Sequence, residues 1–82
     1  MKDLNGKTVF ITGGSTGLGF GMATAFANAG MNIAITDIRD EELATAKEKL
    51  NAITDKVLTF NVDSTDKGAI ESAADELEKS FG

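Results

Sequence analysis

Residues 10–21 read FITGGSTGLGFG, from Phe10 to Gly21. Five of these twelve positions are glycine, and they lie between a β-branched apolar run and an alanine-rich one. Glycine loses more conformational freedom on folding than any other residue, so a cluster this dense implies a sharp turn or a close approach to the backbone. On its N-terminal side, Thr8 to Thr12 (TVFIT) is apolar on both faces, as a strand covered on both sides should be. On its C-terminal side, Leu18, Met22, Phe26 and Ala29 recur at helical spacing, and Gly30 is placed to stop that helix.

The order strand, turn, helix then repeats. Asn32 to Thr36 (NIAIT) predicts a second strand. Asp40 is expected to cap the helix that follows, with Glu41 and Glu42 in its first turn and Leu43, Ala46, Leu50 and Ile53 as its apolar stripe. Val57 to Val62 (VLTFNV) predicts a third strand, and Ser64 or Thr65 is placed to cap a helix with Ile70, Ala73, Ala74, Leu77 and Phe81 on its inner face. A β-α-β-α-β-α pattern implies an α/β fold, because parallel strands need crossovers and the crossovers are helices. The right-handed crossover rule orders the sheet 3-2-1 with the first two helices on one face. No strand follows the third helix, so residues 1–82 are expected to form the N-terminal half of a doubly wound domain, cut before a fourth strand.

Composition narrows the chemistry. The 82 residues contain no cysteine and no histidine, which removes disulfides, thiolate metal sites, Ser-His-Asp triads and HExxH zinc sites from this chain. A net charge of −5 with eight scattered basic residues argues against nucleic acid as a partner. No apolar run approaches the ~20 residues of a membrane span, and the opening MKDLNGKT lacks the apolar core of a signal peptide, so a cytoplasmic protein without membrane partners is expected.

A helix N-terminus presents unsatisfied N–H groups and a partial positive charge, which suit a phosphate wherever the backbone can come close. In Thr12-Gly13-Gly14-Ser15-Thr16-Gly17-Leu18-Gly19, Gly13 can turn the chain out of the strand, Gly17 can lie under a pyrophosphate and Gly19 can let the helix pack on the sheet. Ser15 and Thr16 add hydroxyls, and Leu18 can offer its backbone. Three rival motifs compete for the same residues. The G-x-G-x-x-G fingerprint would need glycine where Met22 stands, and a Walker A loop would need lysine at Phe20. Gly13-Gly14-Ser15-Thr16-Gly17 does fit the G-x-S-x-G elbow, which would make Ser15 a hydrolase nucleophile. Against the elbow stand the missing histidine and Asp37, which closes the second strand twenty residues after Gly17, where a dinucleotide fold places the carboxylate for the adenosine ribose. A loop with only a structural role is the bland alternative.

These residues resemble a known family. Thr12-Gly13-x-x-x-Gly17-x-Gly19 is similar to the T-G-x-x-x-G-x-G signature of the short-chain dehydrogenases/reductases. Leu4-x-Gly6-Lys7 resembles that family's opening, Asp63-Ser64-Thr65-Asp66 its D-V-T-D segment, and Phe81-Gly82 the end of its third helix. The resemblance implies a Rossmann-type three-layer fold, a nicotinamide dinucleotide, and hydride transfer with a small alcohol or carbonyl substrate in the complete protein. It places Gly13, Ser15, Thr16, Gly17, Leu18 and Gly19 at the pyrophosphate end, Asp37 at the ribose with Ile38 and Arg39 near its edge, and Asp63 with Ser64 beside the adenine. The family's N-N-A-G segment, serine and Y-x-x-x-K pair have no counterpart here, and the chain contains no tyrosine. No catalytic residue is therefore assigned, and the 82 residues alone are expected to be inactive.

Asp37 accepts from free ribose hydroxyls and repels a 2′-phosphate, which favours NAD over NADP; Arg39 is the counter-indication, and a solvated loop charge is its bland reading. Asp63 reads alternatively as a helix cap, and the acidic run Asp40-Glu41-Glu42 as dipole capping rather than a metal site. The alternative function is a stand-alone nucleotide-binding or assembly module, which would self-associate through the uncovered outer edge of the first strand.

Overall fold

The computed structural model describes residues 5–81. Leu4 of the opening motif and Gly82 of the closing one lie outside them. The elements run β1 (Thr8–Thr12), α1 (Gly17–Asn28), β2 (Asn32–Asp37), α2 (Asp40–Asn51), β3 (Val57–Asn61) and α3 (Lys67–Phe81). All three strands are parallel and β2 is central, with Ile11 opposite Ile35 on one side and Ile35 opposite Thr59 on the other. This is the expected 3-2-1 order in a Rossmann-type arrangement.

Strand alternation divides the sheet into two faces. On one, Ile11, Ile33, Ile35 and Val57 form a single buried cluster with Ala23 and Ala27 of α1 and Leu43, Ala46 and Leu50 of α2. Ile33, Ile35 and Leu50 are fully enclosed, each worth about 1.5–3 kcal/mol of burial. On the other face, Phe10 and Phe60 flank the central strand with ring centroids 6.4 Å apart and planes 17° from parallel. Buried Ala34 leaves room between them, being opposite Phe10 in register. Ala73 and Leu77 are the buried residues of α3, and they stand outside the first cluster.

Three local expectations are corrected. The buried stripe of α1 is Ala23 and Ala27, not Leu18 and Met22, which are 81% and 41% exposed. A helix this close to the sheet has room for small side chains only, and a Cβ at Gly19 would already sit 2.5 Å from the Gly13 carbonyl oxygen. Asp40 is the first residue of α2 rather than its cap; Arg39 is the cap, its carbonyl accepting from the Leu43 N–H, while the Asp40 carboxylate accepts from the Asn61 amide. Asp66, not Ser64 or Thr65, caps α3, its carboxylate accepting from the Ala69 N–H at 3.0 Å. Gly30 ends α1 as expected: at φ +84° it donates to Ala27, and Met31 donates to Phe26, a Schellman closure.

Candidate functional site

The glycine loop leaves β1 and is pinned at once to the central strand. The N–H groups of Gly13 and Gly14 both donate to the Thr36 carbonyl, at 2.8 and 3.1 Å. Those two amides are therefore turned into the sheet, and the later ones of the loop remain to meet a ligand. Gly13 and Gly17 hold φ of +68° and +60°, in the region that side chains avoid. Their surroundings differ from those of Gly14 and Gly19. A Cβ at Gly14 would strike Ile35 at 2.6 Å, and one at Gly19 would strike the loop backbone, whereas a Cβ at Gly17 would meet nothing within 4 Å. Gly14 and Gly19 thus serve internal packing, and Gly17 borders open space that its positive φ alone closes to a side chain.

Asp37 ends β2 beside this loop and is buried, its side chain only 6% exposed. Five donors surround its carboxylate. Oδ1 accepts from the backbone N–H of Ile38 at 2.8 Å and of Arg39 at 3.2 Å, and from Arg39 Nε at 3.0 Å. Oδ2 accepts from Arg39 Nη2 at 2.9 Å and from the Ser15 hydroxyl. The Arg39 guanidinium, then desolvation acting against it, then Ser15 set the balance, which holds the carboxyl well below the usual carboxylate range. The same pairing raises Arg39 above its ordinary value. Arg39 Nη2 also donates to Thr16 Oγ1 at 3.0 Å, so one guanidinium ties the loop to the end of the central strand.

This geometry sets aside the nucleophile elbow. Ser15 is buried, its hydroxyl is given to Asp37, and a carboxylate held this acidic is a feeble base. Among the described residues no non-glycine residue has a positive φ, so the serine shows no elbow strain.

The remaining candidates converge on one cavity of about 120 Å³, lined by Gly13, Thr36, Asp37, Ile38, Val62, Asp63 and Ser64. Thr36 on its wall carries a buried hydroxyl with no partner among the described residues. Asp63 is exposed, and its Oδ1 accepts from the Thr65 N–H at 2.9 Å and the Thr65 hydroxyl at 2.7 Å. Those two bonds lower its pKa and shape the turn that leads into α3, whose cap is Asp66 and not Asp63. Ser15 and Thr16 line a second cleft of about 220 Å³ together with Glu41, Glu42, Thr45 and Lys49. Leu18 projects into solvent and leaves only its backbone in the loop. No group of acidic residues among those described could hold a metal. Sequence reasoning missed Thr36, Val62 and the covering of Asp37 by Arg39. The last had a signal, since a side chain two residues past a strand end can fold back on it.

The family model described as short chain dehydrogenase matches residues 7–82. The C alpha-dehydrogenase of Sphingobium sp. (strain NBRC 103272 / SYK-6) is 39% identical over 82 residues, covering 100% of this chain and 27% of that protein. Among solved structures, the apo form of LigO from Sphingobium sp. strain SYK-6 superposes with a TM-score of 0.93 at 38% identity, over 100% of this chain and 31% of that one. A short chain dehydrogenase/reductase from Burkholderia phymatum in complex with NAD superposes with a TM-score of 0.93 at 28% identity, over 100% of this chain and 29% of that one. The chain thus spans less than a third of the length of these relatives. With its glycine loop, parallel sheet and nearly every residue matched, the chain belongs to the short-chain dehydrogenase/reductase family.

Proposed function

We propose that these 82 residues are the cofactor-binding half-domain of an NAD-dependent oxidoreductase acting on a small alcohol or carbonyl compound. The observation that carries this reading is the convergence of Gly13, Asp37, Ile38, Asp63 and Ser64, from the ends of all three strands, on one cavity, with open space over Gly17. Both lie at the carboxyl ends of parallel strands, where open α/β sheets take their ligands. The NAD bound in the Burkholderia phymatum relative supports the same cofactor class.

When bound, the nicotinamide supplies the hydride chemistry. This chain's residues do the holding. The amides from Ser15 to Gly19, at the start of α1, would hold the pyrophosphate, with Gly17 allowing the backbone to come close and the Thr16 hydroxyl as a further donor. Asp37 orients the adenosine ribose, Ile38 covers its edge, and Asp63 with Ser64 borders the adenine. The carboxylate of Asp37 disfavours a 2′-phosphate, so NAD is preferred over NADP. The chain contains neither tyrosine nor histidine, and general acid/base work at the substrate falls to residues outside it. A cytoplasmic location is part of this reading.

A calorimetric titration of the chain with NADH and NADPH tests it. Tighter binding of NADH is expected, together with no turnover of simple alcohols; tighter NADPH binding reverses the cofactor assignment, and turnover refutes the half-domain reading. A second reading rests on β1, which pairs on one side only among the described strands. In that reading the chain is an assembly module that joins a second copy along this edge.

A further inference from the structure

The Asp37 carboxylate has no acceptor capacity to spare. Its two oxygens take five hydrogen bonds, and its side chain is 6% exposed. A ribose diol that bonds to this carboxylate must therefore replace donors already there. The two backbone N–H groups belong to the chain's own turn after β2, and Ser15 is buried in the loop. Arg39 is different: its side chain is 49% exposed, and it reaches Asp37 through two side-chain bonds that a rotamer change can release. It also has somewhere to go. Glu42, one helical turn along α2, lies 4.0 Å from Arg39 Nε, and Glu42 and Thr16 both line the open 220 Å³ cleft.

We propose that Arg39 is a specificity-determining residue: in the free protein its guanidinium occupies the seat on Asp37 that an adenosine ribose would take, and a dinucleotide must displace it toward Glu42. The inference rests on the nucleotide reading of the site and deepens it. A cofactor with free ribose hydroxyls competes with Arg39 and gains nothing from it afterwards. A cofactor with a 2′-phosphate meets the same obstacle, but offers the displaced guanidinium a dianionic, fork-compatible acceptor. Arg39 therefore narrows the preference for the unphosphorylated cofactor that Asp37 sets. The apparent affinity for either ligand is scaled by the fraction of molecules in which the seat is open.

Arg39→Ala tests this on the 82-residue chain, with ADP-ribose and 2′-phospho-ADP-ribose as calorimetric probes, since both carry only the portion of the cofactor that this chain would hold. The variant should fold, because water reaches Asp37 when the half-exposed guanidinium is gone. ADP-ribose is expected to bind about fivefold tighter to Arg39→Ala, the factor that a partly exposed ion pair is worth. The 2′-phosphorylated probe should bind more weakly than it does to the parent. Loss of a merely structural contact would weaken both probes, so the opposite signs are the diagnostic. ADP-ribose affinity that is unchanged or lower in the variant overturns the proposal while leaving the nucleotide site standing. Absence of binding by either probe to parent and variant overturns the nucleotide site and the proposal with it.

Discussion

Gly17 and Gly19 stand two residues apart and answer to different physics. At Gly19 an added methyl group meets backbone at 2.5 and 3.0 Å, which cannot move without pulling α1 off the sheet. Gly19→Ala is expected to cost about 3 kcal/mol or more, at the upper end of overpacking effects, and to lower the urea midpoint sharply. At Gly17 only the backbone conformation resists, so Gly17→Ala should cost about 1–2 kcal/mol while weakening dinucleotide binding by placing a methyl group in the open space over the loop. Asp37 supplies a pH signature. Its folded pKa is depressed, chiefly by Arg39, so its contribution is complete above the unfolded value of about 3.9 and drains away as pH falls toward the folded one. Asp37→Asn should lower the melting temperature at pH 7, and the gap from the parent should narrow between pH 4 and pH 2. The position of Asp37 was legible because strand length and loop spacing fix it. Its covering by Arg39 was not, since a flexible side chain chooses among Asp37, Thr16 and Glu42 only once the fold has gathered them.

The helices show where periodicity informs and where it fails. In α2 the polar residues leave one stripe, and Leu43, Ala46 and Leu50 are buried as that stripe predicts. Ile53, the fourth member, falls beyond the helix end and is 40% exposed. In α1, GLGFGMATAFAN is apolar or small at nearly every position, so spacing alone does not choose a face. The choice is made by distance: the line Gly19, Ala23, Ala27 lets the helix approach the sheet, and the bulkier Leu18 and Met22 are turned outward. Ala23→Leu is therefore expected to destabilise by about 1–3 kcal/mol, and Met22→Ala to stay within about 0.5 kcal/mol, as read by chemical denaturation of the same chain. Local pattern places the caps of α2 and α3 a residue or so away from their positions in the fold, because Asp, Ser and Thr crowd the start of each helix and any of them satisfies the local rule.

At the scale of the whole chain, the parallel 3-2-1 order followed from alternation together with the crossover rule, because few topologies obey both. Association is not legible in that way, since it depends on what covers the sheet. The radius of gyration is 11.8 Å, and an open cavity of about 420 Å³ lies between the start of β1 and residues Ala74, Leu77, Glu78 and Phe81 of α3. Sedimentation of the 82-residue chain is expected to show concentration-dependent self-association, and charges placed on the outer edge of β1 should reduce it. A strictly monomeric parent would contradict the assembly reading. One bond pattern reaches across these scales. Because the Gly13 and Gly14 amides are both held by the Thr36 carbonyl, the loop is fastened to the strand at the middle of the sheet. Loops ordinarily exchange their amide protons with solvent through small local openings. Here deuterium should enter Gly13 and Gly14 at the slow rate of the innermost strand, so the timekeeper of this loop is the unfolding of the entire molecule.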